Sequence, residues 1–321
     1  MQCVEPAKPL NDAQIGRSFY FLAKKKPYHK PYLSVDNLAD LLSQRGLEIE
    51  EIYAKKYLHR IGYFRLSGYF YPLLRQPKTS HIFKQGATFV QAMNLYKFDR
   101  KLRLLLFSQI EKIEVAIRAQ IVEKGIQETS NPKWMMEQEY FSDREHFNTT
   151  CLLIQKEWCN SKEDFVQHFR DTYSDKEPPA WILIELIPLG VLAHLFRNIR
   201  KKSLRKQIAK CFGVPPDVFA SWIFSLSGIR NICCHHNRLW NRSLPNKPAS
   251  LIKPNAPWID DRGLDRSKTY YKIAMIKYLL AYINPNNQFK EALIVLKKEY
   301  PTVDFGATGF PNNWETAPLW K

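Results

Sequence analysis

The stretch that decides the fold runs from residue 89 to residue 121 and reads FVQAMNLYKFDRKLRLLLFSQIEKIEVAIRAQI. Apolar residues recur in it at steps of four and three, which is the spacing of one buried stripe on an α-helix. The members of this stripe are Leu102, Leu106, Ile110, Ile113, Ile117 and Ile121. The other faces carry the basic residues Arg100, Lys101, Arg103, Lys112 and Arg118. The spacing therefore predicts a long helix with one face buried in the core.

Helical spacing also dominates the rest of the sequence, without the apolar–polar alternation that is typical of a β-strand. Shorter helices are predicted at residues 34–44, 49–61, 150–173, 181–200, 203–212, 217–235, 267–283 and 288–298. The sequence therefore predicts an all-α protein. Residues 77–86 are polar, which indicates a domain boundary or an exposed loop. We expect the chain to have three parts. They are an N-terminal helical region at 1–86, which is a candidate for RNA contact, a central helical domain at 87–285, and a C-terminal helix and tail, packed or frayed, at 286–321.

The charge of the chain indicates the class of its partner. The 321 residues include 48 Lys and Arg against 31 Asp and Glu, which gives a formal net charge of +17. Such a charge predicts either a nucleic acid or an anionic membrane as partner. The most apolar stretch, residues 181–196, is shorter than the roughly 20 residues of a membrane span. Because the first residues show no charged lead followed by an apolar run, we expect no secretory signal. Since the six cysteines are scattered, we expect a reduced, cytoplasmic protein. With the membrane interpretation unsupported, nucleic acid is the expected partner.

One motif combines residue types that can cleave RNA. It is Arg230-Asn231-Ile-Cys-Cys-His235, at the end of an apolar helical run. Asn231 and His235 are one turn apart on a helix, within about 40° of each other, and Arg230 lies on the neighbouring flank. An imidazole exchanges protons near neutral pH, a guanidinium stabilises charge on phosphate oxygens, and Asn231 would orient either group. The trio suits attack of an RNA 2′-OH on its own phosphodiester, with no metal and no cofactor.

His236 directly follows His235 and is a second candidate for catalysis. It lies about 100° further round the helix, so we prefer His235, and a supporting role for His236 stays open. The run Cys233-Cys234-His235-His236 does not predict a zinc site, because consecutive helical side chains cannot converge on one tetrahedral ion. We expect the two cysteines to act as small packing residues.

Three charged residues upstream are candidates for supporting the motif. Glu114 and Arg118 are one helical turn apart, so they form either an ordinary ion pair within the helix or a pair that orients Arg230 or His235. Both interpretations stay open. Glu185 stands in an apolar stretch, where a buried carboxylate needs a partner, and Arg118 or Arg230 is available.

Clustered basic residues are the candidates for RNA contact. They are Arg197, Arg200, Lys201, Lys202, Arg205 and Lys206, together with Arg238 and Arg242 after the motif. No acidic residue stands within or close to the run at 197–206, which favours contact with phosphates over a merely solvated face. Lys24–Lys26 form a second basic run. The aromatic segment at 63–71 either stacks unpaired bases or packs in the core.

The extended motif at residues 230–241 reads RNICCHHNRLWN. It resembles the abortive-infection (Abi) proteins of the AbiD/AbiF type, which are similar to the HEPN superfamily. Further blocks that resemble this family stand at residues 30–31, 61–69, 98–103, 113–118 and 179–190. The resemblance covers about residues 30–283, which is most of the chain.

The resemblance implies a HEPN-type helical bundle with an N-terminal helical extension, acting as an endoribonuclease in phage defence or as a toxin. It also implies a composite site made by two HEPN units. Since this chain carries one motif, we expect a homodimer. Some proteins of this family are encoded beside small structured RNAs, so a bound non-coding RNA is a further expected partner. The alternative is a non-catalytic protein that binds and holds a structured small RNA.

Overall fold

The computed structural model describes residues 27–321, and this range contains twelve α-helices and no β-strand. The all-α prediction is therefore confirmed. The helices are α1 (Val35–Gln44), α2 (Glu51–Ile61), α3 (Tyr63–Phe70), α4 (Phe89–Thr129), α5 (Arg144–Asn160), α6 (Asp164–Thr172), α7 (Ala180–Leu186), α8 (Leu189–Asn198), α9 (Lys202–Lys210), α10 (Pro216–Cys234), α11 (Thr269–Ile283) and α12 (Phe289–Glu299). None of these helices has the length and apolar character that crossing a membrane requires. The basic run Lys24–Lys26 lies outside the described residues.

Helix α4 is the axis of the fold. Its 41 residues extend over about 60 Å, and it contacts α3, α7, α9, α10, α11 and α12. A capping box fixes its start, because the Gln91 amide donates to Thr88 Oγ1 at 3.1 Å and the Thr88 amide donates to Gln91 Oε1 at 3.0 Å. The predicted buried stripe is confirmed, since each of its members from Leu102 to Ile121 is at most 1% exposed.

Two of the predicted helices are interrupted in the structure. The helix predicted at 181–200 divides into α7 and α8, because Pro188 lacks an amide hydrogen and disfavours a helical conformation in the residue before it. The helix predicted at 150–173 begins earlier and divides into α5 and α6, with Ser161 and Glu163 extended between them. Apolar spacing continues across both breaks, so it reveals the buried faces but not the turns.

One hydrophobic core contains residues of every α-helix in the described range except α6, together with residues of the C-terminal tail. Its residues come from all three parts predicted from the sequence, and the division into those parts stays a prediction. The C-terminal tail is packed: Trp314 and Trp320 are 2% and 0% exposed, and their rings meet edge to face at 4.9 Å. The last residues contact α11, so the tail completes the core on that side.

Candidate active site

The last turn of α10 carries the Arg230–His235 motif. Pro216 occupies the first position of α10, where an amide hydrogen would have no partner within the helix. The apolar face of the helix is buried against α4 and α8, and Trp222 and Leu226 on that face are both 0% exposed. This burial fixes the direction of α10 and therefore the position of its C-terminal turn.

The three side chains of the motif differ in exposure and in contacts. The Arg230 side chain is 35% exposed, whereas Asn231 and His235 are exposed residues. Within residues 27–321, neither Asn231 nor His235 has a side-chain hydrogen bond. His235 is the C-cap residue of α10, and its amide donates to the Asn231 carbonyl at 2.9 Å. These two side chains therefore stand one turn apart and open to a ligand.

Arg230 belongs to a cluster of charges with Glu114 and Arg118, which we call the Glu114 cluster. Arg118 Nη2 lies 2.6 Å from Glu114 Oε1, and Arg230 Nε lies 3.8 Å from Glu114 Oε2. The Glu114 and Arg118 side chains are each 11% exposed. Arg118 Nη1 also donates to the Ile184 carbonyl of α7. Both geometries predicted for Glu114 therefore occur together: an ion pair within α4, and a contact to Arg230.

Glu185 does not take part in this cluster. It was expected to be a buried carboxylate paired with Arg118 or Arg230, but it is exposed and has no ion pair within residues 27–321. Helix α7 has seven residues and buries Leu183 and Ile184, which leaves the next position on the solvent side. Arg118 reaches the backbone of α7 instead of its carboxylate. The expectation of a buried Glu185 is wrong.

The chain leaves the helix immediately after His235. His236 has a left-handed backbone conformation with φ of 57°, its amide donates to the Cys233 carbonyl at 3.1 Å, and the Asn237 amide donates to the Ile232 carbonyl at 2.9 Å. This arrangement ends helices, usually with glycine at the left-handed position. His236 therefore lies beyond the helix and off the face shared by Asn231 and His235. Cys233 is buried, and burial raises the pKa of its thiol to about 12.

The segment that follows is held by a buried carboxylate that the sequence analysis did not single out. Asp99 is 0% exposed, and its Oδ1 accepts from the Trp240 amide at 2.7 Å and from the Leu239 amide at 3.1 Å. Its Oδ2 accepts from the Tyr69 hydroxyl at 2.6 Å and from Arg103 Nη1 at 2.5 Å. We call Asp99, Arg103 and Tyr69 the Asp99 clamp. Burial raises the pKa of Asp99, and the Arg103 charge and the Tyr69 hydrogen bond oppose that rise.

Two further arginines tie the same segment to α3. Arg65 Nη1 donates to the His236 carbonyl at 2.6 Å, and Arg238 Nη1 donates to the Gly68 carbonyl at 3.1 Å. Residues 236–240 are thus fastened to α3 and α4 by side chains of both helices. Because this segment directly follows His235, its attachment determines where the end of α10 stands relative to α4.

The sequence contains a signal for Asp99. It stands seven residues before Leu106, so on a helix it falls on the buried stripe of α4, where a carboxylate requires partners. Arg103, one turn later, is its charged partner. The spacing shows that the pair is buried. It does not show that the remaining donors are the amides of residues 239 and 240.

The basic run at 197–206 is partly neutralised in three dimensions. Lys201 pairs with Glu128 of α4, and Arg205 Nη1 lies 4.0 Å from Asp217 of α10. The expectation that counter-charges are missing nearby is therefore wrong for these two residues, because the folded chain brings in carboxylates that are distant in sequence. Arg200 donates to the Phe141 carbonyl from Nε and Nη2, at 3.1 and 2.9 Å. The members that are exposed and have neither an ion pair nor a side-chain hydrogen bond in the described range are Arg197, Lys202 and Lys206.

The remaining candidates for RNA contact divide in the same way. Arg238 is held by α3, as described above, and Arg242 lines a cavity between α10 and α11. In the aromatic segment at 63–71, Tyr69 and Phe70 are buried in the core, whereas Phe64 is 93% exposed. Core packing therefore accounts for part of this segment, and Phe64 remains available for stacking.

The comparisons with known proteins concern the same part of the molecule. The model of a family described as Abi-like protein matches residues 56–241, which is more than half of the chain. The matched range contains α4, the Glu114 cluster, the Asp99 clamp and all of α10. No curated protein and no solved structure matches the chain.

Proposed function

The chain belongs to the Abi-like protein family, which suggests a role in abortive infection, and on this premise we propose that it is a metal-independent endoribonuclease of HEPN type. The observation that carries the proposal is the end of α10. There, a half-exposed arginine adjoins two open polar side chains, Asn231 and His235, that have no partner in the described range. The finer assignment to the AbiD/AbiF type rests on the extended motif at 230–241.

The proposed reaction moves one proton onto and one proton away from the RNA. The 2′-oxygen attacks the adjacent phosphorus, the bond from phosphorus to the 5′-oxygen breaks, and the products are a 2′,3′-cyclic phosphate and a 5′-hydroxyl end. A base takes the proton from the 2′-OH, and an acid gives one to the leaving oxygen. His235 supplies one of these functions, and Asn231 orients the imidazole or the phosphate.

Arg230 stabilises the charge that develops on the phosphate oxygens. Its Nε lies 3.8 Å from Glu114, which is beyond hydrogen-bond distance, so the guanidinium keeps its donors for a ligand. Glu114 itself is tied to Arg118, and Arg118 is tied to α7. Arg230 is thus positioned by the Glu114 carboxylate, which is itself held by Arg118.

A second copy of the chain completes the site in this proposal. In an in-line displacement the attacking and leaving oxygens lie on opposite sides of phosphorus, so one imidazole cannot serve both. The exposed apolar side chains Leu104, Phe107 and Val115 on α4 support a homodimer, since they are 55%, 40% and 56% exposed. Phe107 is seven residues before Glu114 and so shares its face of the helix. A partner covering this face would bring a second His235 towards the first.

RNA is the proposed substrate and, as a small structured non-coding RNA, a proposed bound partner. The net charge of +17 and the unpaired cations Arg197, Lys202 and Lys206 support a polyanionic ligand. One observation favours a second candidate function: a single chain presents only one motif, and a protein that stays monomeric would bind RNA without cutting it.

Incubation of labelled single-stranded RNA with the full chain in EDTA tests the proposal. We expect the wild type to cut and to leave 2′,3′-cyclic phosphate ends, and His235→Ala to cut about 10²–10⁴-fold more slowly. His236→Ala is the matched control and keeps near wild-type activity. Light scattering on the same samples gives the mass of the active species. RNA binding without cutting by the wild type would replace this proposal with the second candidate.

A further inference from the structure

A cavity of about 120 Å³ lies between α10, α11 and the segment that joins them. It stands behind the candidate active site, because the α10 residues that line it, Ser225 and Ile232, are about 140° and 200° around the helix from Arg230. Part of the wall is apolar, as Ile229 shows. The polar part of the wall consists of four side chains that can all donate hydrogen bonds: Ser225, Arg242, Asn246 and Lys272.

Lys272 is an unusual residue for the inside of a protein. It is 1% exposed, and the only hydrogen bond of its ammonium group within the described range is to the Arg266 carbonyl, at 3.1 Å. No carboxylate in that range lies within 4 Å of it, although a buried ammonium is normally paired with one. Burial lowers the pKa of Lys272 to about 8, and the more distant Asp265 opposes that effect.

The other three donors are also without acceptors. Ser225 is 1% exposed, and its Oγ has no hydrogen-bond partner. The side chains of Arg242 and Asn246 have neither a hydrogen bond nor an ion pair within residues 27–321. No aspartate or glutamate lines the cavity. The wall therefore offers two cationic and two neutral donors and lacks the negative charge that would balance them.

The geometry points to a binding site for a phosphate group, supplied by inorganic phosphate or by a small phosphate monoester. A tetrahedral oxyanion presents four oxygens, which matches the four donors, and its charge matches the two cations. The cavity is large enough for the phosphate group and too small for a whole nucleotide, whose remainder would extend through the opening. The ligand would join α10, α11 and the segment between them. This site is separate from the proposed ribonuclease chemistry and does not depend on it.

Calorimetric titration of the full chain with inorganic phosphate, in a buffer free of phosphate and sulfate at neutral pH, tests this inference. Removing the ammonium in Lys272→Met should weaken binding about tenfold or more, and Ser225→Ala should weaken it several-fold, because each removes a buried donor. Lys277→Met is the matched control. Lys277 stands on the same helix, donates to Asn287 Oδ1 at 3.1 Å and does not line the cavity, so its variant should bind like the wild type.

The outcomes separate the site from general attraction to a basic protein. Absence of binding by the wild type at about 10 mM phosphate would overturn the inference, since a specific site saturates well below that concentration. So would equal affinity in the wild type and Ser225→Ala, a variant that removes one oxygen and is expected to fold even if Lys272→Met does not. A parallel titration with adenosine 5′-monophosphate identifies the source: tighter binding than inorganic phosphate indicates a nucleotide, and equal or weaker binding indicates the free ion.

Discussion

Helix α4 carries two carboxylate–arginine pairs with the same spacing of four residues and different surroundings. Asp99 and Arg103 are in contact at 2.5 Å, and Glu114 and Arg118 at 2.6 Å. The first pair is closed: Asp99 is 0% exposed, and its other partners are a tyrosine hydroxyl and two backbone amides. The second pair is open: both side chains are 11% exposed, and the third charge near it is Arg230, which is 35% exposed.

This difference separates a structural pair from a candidate functional one. A carboxylate that accepts four or more hydrogen bonds from the protein has no capacity left for a ligand, and its contacts hold a segment of backbone. The second oxygen of Glu114 instead faces a guanidinium at 3.8 Å that keeps free donors. We therefore expect the Asp99 clamp to stabilise the fold and hold the end of α10 against α4. We expect the Glu114 cluster to affect RNA cleavage by positioning Arg230.

The largest expected effect is on stability, in Asp99→Ala. This change leaves Arg103 buried without its counter-charge and two amides without an acceptor, so we expect a loss of about 3–5 kcal/mol in the free energy of unfolding. Denaturant unfolding followed by tryptophan fluorescence measures it. Glu111→Ala on the exposed side of α4 is the control and should change stability by less than about 0.5 kcal/mol. If Asp99→Ala were as stable as Glu111→Ala, the Asp99–Arg103 pair would have no special structural role, and it would not differ from the Glu114–Arg118 pair in this respect.

An intermediate effect is expected in Glu114→Gln, and on activity rather than folding. The amide keeps the size of the side chain but no longer guides Arg230, so RNA cleavage should fall about 10- to 100-fold, which is about 1.4–2.7 kcal/mol. The midpoint of thermal unfolding should change less than in Asp99→Ala, because the amide oxygen can still accept the hydrogen bond from Arg118 Nη2. Single-turnover cleavage and thermal unfolding, measured on the same preparation, check both statements. A large loss of stability with unchanged cleavage by the remaining folded protein would assign Glu114 to the structural class.

The smallest effect is expected in Glu185→Gln. Because this carboxylate is exposed and has no ion pair in the described range, both cleavage and stability should stay near the wild type, within about 0.5 kcal/mol. The same two assays apply. A loss of cleavage comparable to that of Glu114→Gln would mean that α7 contributes a carboxylate to the site.

The sequence predicted those features that depend on local spacing. The stripe of α4 follows from steps of three and four, and the position of the motif at the end of α10 follows from the apolar run before it. The same reasoning predicted that Glu114 and Arg118 can meet, since they are one turn apart. These features need only the geometry of one helix.

Features that depend on contacts between distant segments could not be predicted. The amides held by Asp99 belong to residues about 140 positions further along the chain, and nothing local identifies them. Glu128 and Asp217 neutralise part of the basic run for the same reason. Glu185 is exposed although its stretch is apolar on average, because the short helix α7 buries only one face. The cavity around Lys272 likewise forms only when α10, α11 and their connection meet.

The most direct test of the account is single-turnover cleavage of a labelled RNA, in EDTA, by the wild type and by Arg230→Ala. We expect the variant to bind the RNA with similar affinity and to cut it at no more than about one hundredth of the wild-type rate. The reason is that the guanidinium stabilises the phosphate mainly in the transition state. Cleavage by Arg230→Ala at the wild-type rate would contradict the account, since the end of α10 could then not be the catalytic centre.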